Sequence, residues 1–259
     1  ERDVRLFSGK TRQYIFISSA SAYQKPLVHP VVTESTPLCN PYWQYSRDKI
    51  ACEELLLEAF RNRAFPAVVV RPSHTYDTIW PLAVGPSNDC TIIDRMKRGL
   101  PILVHGDGTS LWTVTHSADF AKAFVGLIGH PQTLGHAYHI TGDERLTWDQ
   151  IHNIIAHAVG GEAHPVYVPS RVLEAAGWGH GGLIGDKAWS VLFDNTKIRA
   201  IVPGFRATIP FHIGVYDIVN AFEEPERQRV DAAVNERMDA FVRKWRAATD
   251  AAVSGSSES

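Results

Sequence analysis

The feature that most constrains this chain is a strand, a long helix and a second strand in immediate succession between Tyr14 and Val70. Tyr14–Ile17 (YIFI) is a short apolar run closed by Ser18 and Ser19, the pattern of a strand buried on both faces. Tyr45–Arg63 sets Ile50, Leu55, Leu56, Ala59 and Phe60 against a charged face, which predicts an amphipathic helix ended by Pro66. Ala67–Val70 (AVVV) is a second buried strand running into Arg71-Pro72. This order is a βαβ unit and implies a parallel sheet. From Ala20 to Pro41 the four prolines Pro26, Pro30, Pro37 and Pro41 forbid a long helix and predict a surface loop.

Strands and helices continue to alternate. Helices are expected over Thr91–Arg98, Ala118–Ile128 (capped by Ser117), Trp148–Val159 (capped by Thr147), Phe211–Phe222 and Val234–Trp245. Strands are expected over Ile102–Val104, Trp112–Thr115, Tyr138–Thr141 and Val166–Val168, with Gly177–Gly185 a glycine-rich loop. The fold class is α/β: part of a doubly wound parallel sheet, plus a smaller α/β lobe. The expected division is 1–78 and 110–141 in the sheet domain, 79–109 and 142–253 in the lobe, and 254–259 a disordered polar tail.

With 44% hydrophobic and 21% charged residues among 259, the chain is an ordinary globular protein. Its 26 basic and 28 acidic residues leave a formal charge of -2, so no field favours nucleic acid or an anionic membrane. Cys39, Cys52 and Cys90 have neither disulfide-framework nor zinc spacing, which points to a reducing, cytoplasmic setting. No apolar run reaches the roughly 18 residues that a membrane span needs. Glu1–Gln13 is charged and helix-like, with no apolar signal region, and the true N-terminus is expected upstream.

The chemistry-bearing constellation is Ser18-Ser19 at a strand end, followed by Tyr45-Ser-Arg-Asp-Lys49 opening a helix. Residues four apart share a helix face, and an ammonium beside a phenol favours the phenolate, which can take a proton from an alcohol. Spacing alone leaves this pair open to being an exposed Tyr-Lys contact. Phe16-Ile17-Ser18-Ser19-Ala20-Ser21-Ala22-Tyr23, the Tyr45-to-Lys49 motif and Arg71-Pro72-Ser73-His74-Thr75-Tyr76 occur in an order that resembles the extended short-chain dehydrogenase/reductases, the NAD-dependent epimerase/dehydratase family. His116-Ser117-Ala118-Asp119 and Phe193-Asp194-Asn195-Thr196-Lys197 are similar to two further family segments.

That resemblance implies an enzyme using NAD or NADP on a hydroxyl carbon of a sugar, a nucleotide-sugar or a similar small molecule, with a homodimer compatible with it. It makes Tyr45 the general acid/base, Lys49 the residue that holds the nicotinamide ribose, and Ser19 their hydroxyl partner, with Ser18 the alternative. Ser18, Tyr45, Lys49, Pro72, Ser73 and His74 would then face the cofactor, and Ser19, Ala20, Arg71 and His74 the substrate. Gln24 and Asp77 replace two family glycines. The family's glycine-rich pyrophosphate turn should precede the catalytic strand by several βα units, yet only thirteen residues precede Tyr14, so a fragment is expected. The chain also resembles chloroplast stem-loop RNA-binding proteins at Ile17-Ser18-Ser19-Ala20 and His105-Gly106-Asp107-Gly108, which leaves RNA binding, or a catalytically silent homologue, as the alternative.

Other candidates are weaker. The histidines lack metal-site spacing, and no G-x-S-x-G elbow makes Ser18 or Ser19 a nucleophile. Asp119 is expected to cap a helix, Trp112 and Trp148 to lie in a core or domain interface, and Cys52 to be packed. Arg71 has two readings, an anion ligand or a structural salt bridge. Arg95, Lys97 and Arg98 read as a solvated helix face, or else as contacts to a diphosphate.

Overall fold

The structure is a computed structural model that describes residues 1–254. Along the first half run α1 (Arg2–Phe7), β1 (Tyr14–Ile17), β2 (Val31–Val32), α2 (Gln44–Arg63), β3 (Ala67–Pro72), β4 (His74–Tyr76), α3 (Thr91–Lys97), β5 (Pro101–His105), β6 (Leu111–Trp112) and β7 (Val114–His116). They are followed by α4 (Ser117–Leu127), β8 (Ala137–Ile140), β9 (Leu146–Thr147), α5 (Trp148–Ala158), β10 (His164–Val168), α6 (Ser170–Ala175), β11 (Leu192–Phe193), α7 (Thr196–Ile201), α8 (Phe211–Ala221) and α9 (Ala232–Ser254). The expected tail meets α9 at Ser254, and residues 255–259 lie outside the described residues.

β1, β3 and β8 form a parallel sheet in the order β1-β3-β8, with Ile17 opposite Val70 and Val70 opposite Tyr138. Because side chains alternate along a strand, the sheet has two apolar faces. Tyr14, Phe16 and Ala67 meet α1 and α2 on one face, while Ile15, Val68, Val70, Tyr138 and Ile140 meet α4 and α7 on the other. This is the doubly wound arrangement, and it holds the carboxyl ends of β1 and β3 side by side.

The lobe is built from β5 and β10, paired in parallel, and from α3, α5, α8 and α9. Thr147 caps α5 as expected, in a reciprocal capping box with Gln150. Ser117 does not cap α4. The helix starts at Ser117 itself, and the imidazole Nδ1 of His116 accepts the Ala118 N–H at 3.1 Å. The strand expected over Trp112–Thr115 is split at Thr113, because β6 pairs antiparallel with β9 while β7 pairs parallel with β4. α7 and Phe205 fall inside the expected 142–253 lobe segment yet pack on the sheet with α4.

Three side chains depart from their expected setting. Arg95 is fully buried and donates to Asp239 at 2.5 Å, to Asn235 at 3.1 Å and to the Pro101 carbonyl at 2.8 Å, tying α3 to α9. It is neither solvated nor free for a diphosphate. Cys52 is exposed, since the buried stripe of α2 passes through Ser46, Glu53, Leu56 and Ala59. Asp119 is buried and accepts the Thr208 and Ile209 N–H groups, so it fastens a distant loop.

Candidate active site

Parallel α/β sheets offer ligands the crevice beyond the carboxyl ends of their strands. Here β1 delivers Ser18 and Ser19 to that edge, the end of β3 delivers Pro72 and Ser73, the start of β4 delivers His74, and the first turn of α2 delivers Tyr45. A cleft of about 180 Å³ opens there, lined by Ser19, Ala20, Tyr45, Pro72, Ser73 and His74 from the sheet side. Lys25, Trp43, Trp112, Asp186, Lys187 and Phe193 are among the residues that line the rest of its wall.

The approach to α2 is fixed by Asn40. Its Nδ2 donates to the Ser21 and Gly185 carbonyls at 2.9 and 2.6 Å, and its Oδ1 accepts the Tyr42 and Trp43 N–H groups. Trp43 then packs against Tyr45, with ring centroids 4.8 Å apart, and leaves Tyr45 about 42% exposed at the mouth of the cleft. One turn on, the Lys49 ammonium donates to the Ile17 carbonyl at 2.9 Å and stands 5.5 Å from the centroid of the Tyr45 ring. Lys49 is thereby held between the strand end and the tyrosine.

The two serines have separate fates. Ser18 is buried and donates its hydroxyl to the Glu53 carboxylate, so that hydroxyl does not face the cleft. Ser19 lies on the cleft wall in a relay of hydroxyls: Ser46 donates to Ser21 at 2.8 Å, and Ser21 and Ser19 are 2.9 Å apart. If Ser21 donates onward, the Ser19 proton is left for a ligand oxygen.

Arg71 resolves into the structural salt bridge. It is buried, its Nε and Nη2 grip Glu53 at 2.6–3.1 Å, Nη1 reaches the Glu34 carbonyl, and its guanidinium lies over the Tyr23 ring. Nothing of it is turned to a substrate. Ser73 is bonded to Thr115 at 2.7 Å. His74 is pushed by burial, and secondarily by the Lys187 charge, down to a pKa of about 3, so its imidazole is neutral near pH 7.

Sequence reasoning missed the far wall of the cleft. Lys25 sits in the proline-rich loop, and Asp186 and Lys187 follow the glycine-rich stretch, where a π-helical turn over Leu183–Lys187 replaces the expected open loop. No periodicity marks such residues. Burial pushes the Lys25 ammonium pKa down and the Asp186 carboxyl pKa up, each partly offset by the other.

Residues 5–141 match the NAD dependent epimerase/dehydratase family. The chain belongs to that family. Among curated proteins it is similar to 2'-dehydrokanamycin reductase of Streptomyces kanamyceticus, 26% identical over 74% of this chain and 54% of the reductase. It is also 28% identical to the chloroplast stem-loop binding protein of 41 kDa b of Arabidopsis thaliana, over 58% of this chain and 37% of that protein. The chain thus spans about half or less of the length of these two relatives.

Among solved structures, UDP-glucuronic acid 4-epimerase from Bacillus cereus, in complex with UDP-glucuronic acid and NAD, aligns with a TM-score of 0.67 at 18% identity, over 85% of this chain and 65% of that one. The dTDP-glucose 4,6-dehydratase of Bacillus anthracis, in complex with NAD, aligns with a TM-score of 0.65 at 19% identity, over 87% of this chain and 66% of that one. At such identities the likeness is one of fold. No helix among the described residues is long and apolar enough to cross a membrane.

Proposed function

We propose that this family member supplies the catalytic and substrate-binding part of an NAD(P)-dependent enzyme that changes the oxidation state at a hydroxyl-bearing carbon of a sugar, free or nucleotide-linked. The observation that carries the reading is that Ser19 and Tyr45 line one cleft while Lys49 is pinned to the Ile17 carbonyl beside the Tyr45 ring. The names of the relatives support it: a 2'-dehydrokanamycin reductase, a UDP-glucuronic acid 4-epimerase and a dTDP-glucose 4,6-dehydratase.

The residues fit a nicotinamide group. Lys49 would hold its ribose, and Pro72, Ser73 and His74 offer a wall without a competing charge. When bound, that group accepts or returns a hydride at the substrate carbon. The Tyr45 oxygen takes the hydroxyl proton from the same carbon as it becomes a carbonyl, and gives it back in the reverse direction. Ser19 donates to the developing carbonyl oxygen, its orientation set by Ser21 and Ser46. These residues are further proposed to work within a longer polypeptide, a reading supported by the share of each relative that they span.

An RNA-binding reading rests on the likeness to the stem-loop binding protein. The open Tyr45 phenol in a cleft and the formal charge of -2 favour redox chemistry over it. Tyr45→Phe, made in the complete protein, is expected to abolish turnover of a keto-sugar or nucleotide-sugar while NAD(P) binding persists. Retained turnover refutes the role of Tyr45, and a salt-dependent RNA gel shift without turnover would favour the other reading.

A further inference from the structure

The far wall of the cleft holds a cluster that proton and hydride transfer do not use. The Lys25 side chain is 0% exposed, and its ammonium has no hydrogen-bond partner, with the Asp186 carboxylate 3.7 Å away as a loose counter-ion. Burying an ammonium with its donors unfilled is costly unless something completes the shell. A second cation, Lys187, lines the same cleft and stands 5.4 Å from the Trp43 ring centroid. Trp112, a further lining residue, has a buried indole N–H with no acceptor.

Counted as formal charges, two lysines stand against one aspartate on this wall, and the neutral His74 imidazole adds nothing to either side. Unfilled donors and a formal excess of positive charge specify the missing group as rich in acceptors and negative.

We propose that Lys25, Lys187 and Trp112 form an oxyanion subsite, and that the substrate carries a carboxylate or phosphate which they bind. This rests on the reading of the cleft as a substrate site. It adds a substrate class: an acidic sugar or sugar phosphate in preference to a neutral one. Asp186, 3.7 Å away, is the counter-ion that this wall gives the Lys25 ammonium.

The test is direct binding to this chain, without cofactor or turnover, read through the fluorescence of Trp43 and Trp112 on the cleft wall. The probes are D-glucuronate, inorganic phosphate and D-glucose. At least one of the two anions is expected to bind saturably, and roughly ten-fold or more tightly than glucose. If both bind and compete, the subsite takes any oxyanion; a response to one alone identifies the source, and either result upholds the proposal. Lys25→Met and Lys187→Met should each remove the preference. Should Lys25→Met fail to fold with Asp186 stranded, Lys187→Met decides, since Lys187 is part-exposed and its loss leaves the Lys25–Asp186 pair intact. Equal binding of anions and glucose, no anion binding, or a preference surviving Lys187→Met overturns the subsite. None of these outcomes bears on proton transfer by Tyr45, which Tyr45→Phe turnover tests separately.

Discussion

Replacing Glu53 by Gln is the perturbation whose cost follows most directly from the structure. Glu53 is 0% exposed on the sheet-facing side of α2, takes Arg71 contacts at 3.0, 3.1 and 2.6 Å, and accepts the Ser18 hydroxyl. Glutamine keeps the shape but offers one acceptor oxygen, sets an amide NH2 against guanidinium donors, and leaves the Arg71 charge buried without a counter-ion. Breaking a buried pair by removing one partner costs about 3–5 kcal/mol, against a total stability of roughly 5–15 kcal/mol for a typical domain. With a urea slope of roughly 2–3 kcal/mol/M, the midpoint of unfolding should drop by about 1–2 M. Glu53→Gln combined with Arg71→Met removes both charges and should be more stable than Glu53→Gln alone, giving a coupling of about 2 kcal/mol or more in a double-mutant cycle. A loss below about 1 kcal/mol for Glu53→Gln, or additive losses in the double variant, would show that water screens the pair and refute the reasoning.

Two further outcomes are open to measurement. Burial lowers the His105 and His152 pKa values to about 3 and about 4, with the neighbouring charge of His152 adding to the effect on His105. Between those values and the unfolded value near 6.5 the unfolded chain binds more protons, so stability is full above about pH 6.5 and falls as pH drops towards 4. His152 accounts for on the order of 3 kcal/mol of that fall, and urea midpoints from pH 7 to 4 should decline less steeply in His152→Leu; parallel profiles would contradict the assignment. Gly161→Ala places a methyl group 2.6 Å from the Met96 carbonyl oxygen and 2.8 Å from the Lys97 nitrogen, backbone atoms that cannot rotate away. Its expected cost is about 1–3 kcal/mol, seen as a lower Tm, and an unchanged Tm would mean that the Met96–Lys97 turn yields freely.

The scaffold was legible wherever a segment buries a regular face. AVVV declares β3 because both faces of that strand are covered, YIFI declares β1 by its apolar run although β1 is only half-buried and Ile17 is exposed, and Thr147 declares the start of α5 because capping chemistry is local. The near wall of the cleft followed, since Ser19 and Tyr45 sit at ends of elements that the pattern locates. Glu53 hid in plain view: a carboxylate on a helix reads as solvent-facing until a buried Arg71 eighteen residues later claims it. His116 was likewise overlooked as a cap, because an imidazole serves there only when its other nitrogen is held, here by Asp217 at 2.8 Å. Lys25 and Lys187 meet across more than 160 residues of chain, through a loop and a π-helical turn, and nothing in their neighbours' hydropathy encodes that meeting.

The Asn40 side chain has both amide donors and both directions of its oxygen occupied, one donor reaching across to Gly185 within the turn that carries Asp186 and Lys187. This amide acts like a pin through two plates. That one side chain joins the segment carrying Asp186 and Lys187 to the Tyr42 and Trp43 backbone that leads into Tyr45. Two walls of the cleft thus share one fastening, and the spacing between them is set in part by the reach of a single amide.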